Sequence, residues 1–147
     1  MMRLKKLGVN TQELLDIYHK QVRSVLELAV PVWQPGLTQQ EVEQIERVQK
    51  CALHIIMGDN YKDYSNALQT LNCETLNTRR VRLCEKFARK AAKNPRYRNW
   101  FSLNTAPPPT IHTRQQNKSH TQYLPVQART SRYKNSPIPY LTEILNK

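Results

Sequence analysis

The stretch Leu37-Thr38-Gln39-Gln40-Glu41-Val42-Glu43-Gln44-Ile45-Glu46-Arg47-Val48-Gln49-Lys50-Cys51-Ala52-Leu53-His54-Ile55-Ile56-Met57-Gly58 decides the fold. Thr38 can cap a helix N-terminus while Glu41, three residues on, reaches back and completes a capping box. Leu37 and Val42 are spaced for a hydrophobic staple across that cap. At about 100° per residue, Val42, Ile45, Ala52, Leu53 and Ile56 fall on one face. Glu43 to Arg47 and Glu46 to Lys50 lie opposite as i,i+4 pairs, acid first, the more favourable order. Gly58 then stops the helix. One amphipathic helix is not stable alone in water, so its neighbours must cover the apolar stripe.

Upstream, Asn10 and Glu13 are spaced for a second capping box, followed by a helix to about Ala29. Its apolar face reads Leu14, Leu15, Tyr18, Val22, Val25, Leu26 and Ala29. Pro31 is expected to end it, because the residue before a proline is pushed out of the α region. The short connector to Leu37 predicts an antiparallel αα-hairpin with Trp33 packed at its corner. Downstream, Asp59 or Asn60 can cap a short third helix bearing Tyr61, Tyr64, Ala67, Leu68 and Leu71, broken at Asn72-Cys73.

The fourth helix runs from about Thr75 to Lys93 and stops at Asn94-Pro95. Leu76, Cys84, Phe87, Ala88 and Ala91 share one side. Arg79, Arg82, Lys86, Arg89, Lys90 and Lys93 gather within about 100° of arc on another. Arg80 is the exception: it points to the apolar edge, where it must snorkel or meet an acid. Arg96 and Arg98 follow within Pro95-Arg96-Tyr97-Arg98-Asn99-Trp100-Phe101-Ser102-Leu103. Trp100 and Phe101 are expected to dock on the bundle, since exposed they would form a sticky patch. The other reading is a stacking platform for bases.

The expected class is mainly α: a bundle of four helices opened by an αα-hairpin, then an extended or disordered basic linker and a short C-terminal helix. Residues 1–103 form the helical domain and 104–131 the Pro/Thr/Gln/Arg-rich linker, which lacks an apolar face to offset ordering entropy. Residues 132–147 regain hydrophobicity. Pro139 suits the first position of a last short helix bearing Tyr140, Leu141, Ile144 and Leu145, which docks on the bundle or on a partner.

Charge narrows the function. The net charge is +12, from 23 Lys+Arg and 11 Asp+Glu. Residues 1–78 carry 8 basic and 9 acidic side chains, net −1, and residues 79–147 carry 15 and 2, net +13. An excess held in one half is the footprint of a surface for a polyanion, or else of a solvated basic tail. Cys51, Cys73 and Cys84 are odd in number and form no disulfide framework, which points to a reducing compartment, nucleus or cytoplasm. No segment approaches a bilayer span or a signal peptide.

Catalytic constellations are missing from the sequence. There is no Asp-Asp pair for two-metal chemistry, and Gly8, Gly36 and Gly58 make no phosphate-cradling loop. The spacing of Cys73, Cys84, His112 and His120 matches no standard zinc finger. Cys51 and His54 share a helix without a third group. The expectation is a chain without catalytic residues, cofactor, metal or small-molecule substrate.

Four stretches together resemble the C-terminal region of reverse transcriptases from non-LTR (LINE-type, jockey-like) retrotransposons. They are Leu4 to Val9 with Leu14, Leu15, Tyr18 and Ser24 to Trp33; Gln34 to Thr38 with Ile45 to Lys50 and Ile55-Ile56; Tyr61 to Leu71 with Leu76, Arg79-Arg80, Leu83, Cys84, Phe87 to Lys90 and Asn94-Pro95; and Arg129 to Asn146. The last, with Asn135-Ser136-Pro137-Ile138-Pro139-Tyr140, is the most specific. The resemblance implies a thumb-like helical section and C-terminal extension that contact template–primer or element RNA. The palm of an RNA-directed DNA polymerase is not in this sequence, so the chain reads as a truncated, non-catalytic piece of such an enzyme.

The expected partners are RNA or an RNA/DNA hybrid, plus the rest of a reverse transcriptase where upstream sequence exists, and no membrane. The expected contacts are Arg79, Arg82, Lys86, Arg89, Lys90, Lys93, Arg96 and Arg98. The alternatives are a protein-interaction module using the Pro137–Leu145 tail, or a translated relic without function. Limited trypsin digestion is expected to cut first between Arg114 and Arg132 and leave a stable fragment of about residues 1–103. Early cleavage within Leu37–Gly58 would contradict the domain reading.

Overall fold

Thr38 does what its spacing requires. The Glu41 amide donates to Thr38 Oγ1 at 3.3 Å, and the Thr38 amide donates to the Glu41 carboxylate at 2.8 Å. The computed structural model describes residues 1–104 and 122–147. The expected linker falls largely on 105–121, outside the described residues. The rest is mainly helical: α1 (Met2–Lys6), α2 (Thr11–Ile17), a π-helical stretch (Tyr18–Arg23), α3 (Ser24–Leu26), α4 (Val30–Trp33), α5 (Gln39–Met57), α6 (Tyr64–Thr70), α7 (Leu76–Lys93), α8 (Ser131–Lys134) and α9 (Pro137–Leu145). Short 3₁₀ turns occupy Gln34–Gly36, Gly58–Asn60 and Arg98–Trp100. Two compact units result: Met1–Val30 with Leu37–Val81, and Pro31–Gly36 with Arg82–Lys147. Residues of α7 belong to both.

The first unit is built on α5. Leu14, Leu15 and Tyr18 meet Ala52, Leu53, Ile56 and Ala67 in one buried cluster. The start of the first helical segment thus lies against the end of α5, as an antiparallel hairpin requires. Gly58 ends α5 at φ +58°. Lys5 Nζ donates to the Ile55 and Ile56 carbonyls at 2.7 and 3.1 Å, a cation where the helix dipole favours one.

Several boundaries differ from expectation, each for a local reason. The first long helix stops at Leu26, and the backbone turns at Ala29 with φ +52°. Its π-helical stretch accommodates one extra residue and rotates the downstream turn away from the 3.6-residue template. Val25 is consequently exposed instead of completing the apolar face. Pro31 sits in the first turn of α4, where a missing N–H costs nothing, instead of ending the helix before it. Asp63, not Asp59 or Asn60, caps α6, accepting from the Asn66 amide at 2.7 Å.

Glu46 departs most from the expected pattern. It is not a solvated partner for Lys50 but faces the start of α7. Its carboxylate accepts from the amides of Leu76 and Asn77, both at 3.3 Å, and from the Tyr64 hydroxyl. Lys50 Nζ lies 5.1 Å from the centre of the Tyr64 ring. One turn on, buried Gln49 donates to the Glu74 carbonyl at 2.8 Å. Gln49 occupies the core face between Ile45 and Leu53, a position the apolar count passed over. In α7 itself, Leu76, Arg80, Cys84, Ala88 and Ala91 are buried. Arg80, placed at the apolar edge by its angle, is fully inside.

In the second unit, residues 102–104 and 122–124 pair antiparallel. The Asn104 amide donates to the Gln122 carbonyl at 2.9 Å and the Leu124 amide to the Ser102 carbonyl at 2.8 Å. The Asn146 side chain then clamps the Tyr123 peptide, accepting from its N–H and donating to its C=O, both at 3.0 Å. The last helix, α9, starts at Pro137, buries Leu141 and Thr142, and lies against Gln34–Gly36. The tail therefore docks on its own chain.

Glu46→Ala is expected to cost about 2–3 kcal/mol, because it strands helix N-terminal amides and a half-buried hydroxyl together. Urea denaturation followed by circular dichroism measures it. Glu46→Gln, which keeps one acceptor, is expected to lose about half as much.

Candidate nucleic-acid interface

The basic side of α7 is positioned by the helix start. Thr75 caps it, accepting from the Thr78 amide at 3.2 Å, and Glu46 takes the next free amides. Arg79 is then committed to Glu27. Its guanidinium donates to that carboxylate, and Arg23 approaches the same oxygen at 3.5 Å. The Arg79 side chain is only 25 % exposed. The hydrogen bond to Glu27 raises its pKa further above the ordinary value. Arg79 thus differs from the other expected contacts in being already paired with a neighbouring carboxylate.

The other predicted contacts fall into the second unit. Arg82, Lys86, Arg89, Lys90 and Lys93 are all exposed, and all lie on one side of α7. Arg82, Lys86 and Arg89 line an open depression of about 230 Å³ bordered by Glu85. Arg96 is exposed beyond the helix end, its amide held by Asn94 Oδ1 at 2.9 Å. Arg98 lies in the following 3₁₀ turn, and its side chain is outside the described residues. The structure thus keeps five helical cations and Arg96 on the surface.

The aromatic segment splits. Phe101 is buried and meets the Tyr123 ring edge-on at 6.1 Å. Trp100, expected to dock with it, is 41 % exposed and lies on Tyr97 at 4.8 Å between ring centres. Phe87, counted with the apolar face, is 37 % exposed. Sequence reasoning weighed Trp100 as part of a stacking platform but placed Phe87 on the apolar face. The available signal was angular: on a helical wheel Phe87 lies about 60° from both Lys90 and Cys84, at the boundary between the cations and the buried side.

One juxtaposition resembles catalytic chemistry. Cys73 Sγ lies 3.7 Å from His19 Nε2. Burial raises the Cys73 thiol above its ordinary pKa, and burial together with the Arg23 charge lowers that of His19. A nucleophilic thiolate beside an imidazolium needs both shifts reversed, so this is a neutral contact within the first unit. Among the described residues, no three His, Cys, Asp or Glu side chains cluster as metal ligands, and no helix is long and apolar enough to cross a membrane. His112 and His120 are outside the described residues.

No family model, curated protein or solved structure matches this chain.

The three thiols are ranked by their surroundings: Cys51 exposed, Cys73 half-buried, Cys84 buried. In the native protein at neutral pH, an aromatic disulfide reagent is expected to modify Cys51 first and Cys73 at least about tenfold more slowly. Cys84 is expected to react only on unfolding. Loss of the fast phase in Cys51→Ser checks the assignment, and a fast Cys73 would contradict the neutral contact.

Proposed function

We propose that this chain is a non-catalytic nucleic-acid-binding helical module, a C-terminal fragment of a retroelement RNA-directed DNA polymerase. It would hold template–primer or element RNA through the basic side of α7. The observation that carries the reading is the exposure of Arg82, Lys86, Arg89, Lys90 and Lys93 along one side of one helix, with Arg96 beyond. Such cations neutralise phosphates and set register without reading sequence. The retroelement identity is supported by the four quoted stretches alone. RNA or an RNA/DNA hybrid is the partner this reading favours, in the reducing interior of the nucleus or cytoplasm.

A tail-mediated protein-interaction module is less well supported. Leu141 is buried within the second unit and Asn146 is occupied by the Tyr123 backbone, so α9 is not a free docking element.

Four to six phosphate contacts give an expected slope of roughly −3 to −5 for log affinity against log salt. Reversing Arg82, Lys86, Arg89 and Lys93 to Glu is expected to abolish RNA binding while the helical circular dichroism signal is retained. A slope near about −1, or unchanged affinity in the reversed variant, refutes the proposal.

A further inference from the structure

Beside the basic side of α7 lies a cleft of about 320 Å³ lined by Phe87, Lys90, Ala91, Asn94 and Tyr97. It belongs wholly to the second unit. Its size is at the lower end of the range of about 300–1,000 Å³ for small-ligand sites, enough for a planar ring. Trp100 stands next to it on Tyr97, with ring centres 4.8 Å apart and planes inclined by 47°. Asn94 organises the wall, its carbonyl accepting from the Tyr97 amide at 3.0 Å and its side chain from the Arg96 amide at 2.9 Å. The Tyr97 carbonyl in turn accepts from the Trp100 amide at 3.0 Å. A run of short turns therefore fixes two rings against the helix end, and Phe87 supplies a third from the helix itself.

We infer that Phe87, Tyr97 and Trp100 form a base-stacking subsite that makes this interface selective for single-stranded nucleic acid, with Lys90 holding the adjoining phosphate. The inference rests on the nucleic-acid reading above and adds to it the strandedness of the ligand. Two physical points carry it. Large aromatic surfaces left partly in water beside a row of cations suit a ligand with flat apolar faces and negative charge together. Only an unpaired strand offers both, because a duplex keeps its base faces stacked inside while presenting the same phosphates outside. An apolar protein segment would cover the rings but leave Lys90 and its neighbours unmatched. Stacking tolerates any base, so no strong sequence preference accompanies it.

The test compares two probes on the full chain: an oligouridine RNA of about 16 nucleotides and an RNA duplex of the same length, at about 0.1 M salt. The native protein is expected to bind the single strand at least about tenfold more tightly. Trp100→Ala is expected to cost about ten- to hundredfold on the single strand and less than about twofold on the duplex, with the salt slope unchanged. Trp100→Phe restores most of the loss, and Phe87→Ala repeats the pattern if its helical signal is intact. With Trp33→Phe as background, Trp100 fluorescence is quenched by the single strand and not by the duplex. Equal affinity for both probes, or equal loss on both in Trp100→Ala, overturns the stacking subsite while leaving the basic side standing. Absence of salt-dependent binding to either probe overturns both readings.

Discussion

The carboxylate of Glu46 is the constraint on which α7 depends. It sits on α5, and it accepts from the first amides of α7 and from the hydroxyl of Tyr64 on α6. A negative charge at a helix N-terminus meets unsatisfied N–H groups and the positive end of the dipole together. Such charge-assisted bonds are roughly twice as strong as neutral ones, so a single side chain can hold three segments. Gln49, one turn further, adds the Glu74 carbonyl to the same joint. Glu27 then catches Arg79 one turn into α7 and fixes its roll. These two carboxylates hold the first turns of α7 within the first unit.

That roll has an electrostatic consequence. Arg82 to Lys86, Lys86 to Lys90 and Arg89 to Lys93 are like-charged pairs at i,i+4, each costing roughly 0.2–0.5 kcal/mol. The last turn of the helix favours the cations Lys90 and Lys93, and Arg79, which would have extended the row, is paired with Glu27. Cys84, Ala88 and Ala91 bury the opposite side. Gathering like charges on one side costs folding free energy, and an anion bound there would offset that cost. This is the physical basis for reading the side as a phosphate-binding surface.

The second unit shows how small polar contacts stand in for a large core. Residues 102–104 and 122–124 form only a brief antiparallel pairing, yet Asn146 uses both ends of its amide on the Tyr123 peptide. The carboxamide thereby mimics a neighbouring strand where no strand is present. Phe101 is buried and meets the Tyr123 ring edge-on, and Leu141 is buried in the same unit. Trp100, one residue from buried Phe101 and last in the 3₁₀ turn Arg98–Trp100, is left partly exposed.

The sequence by itself determined both ends of α5, the start of α2 and the charge. Thr38 with Glu41, Asn10 and Gly58 act through bonds or dihedrals only a few residues apart, so their effects are legible from spacing, whereas the last helix starts at Pro137 and not at the expected Pro139. The gathering of cations on α7 follows equally from a fixed angle per residue. Tertiary structure decided what that local geometry leaves open. Glu46 and Arg79 turned inward because amides and a carboxylate from distant segments stood opposite them, and Arg80 went into the core while Phe87 stayed out. A helical wheel gives each residue's angle but not the direction in which the wheel is turned. That direction is set by partners about 30 to 50 residues away in the chain, beyond the reach of any local period.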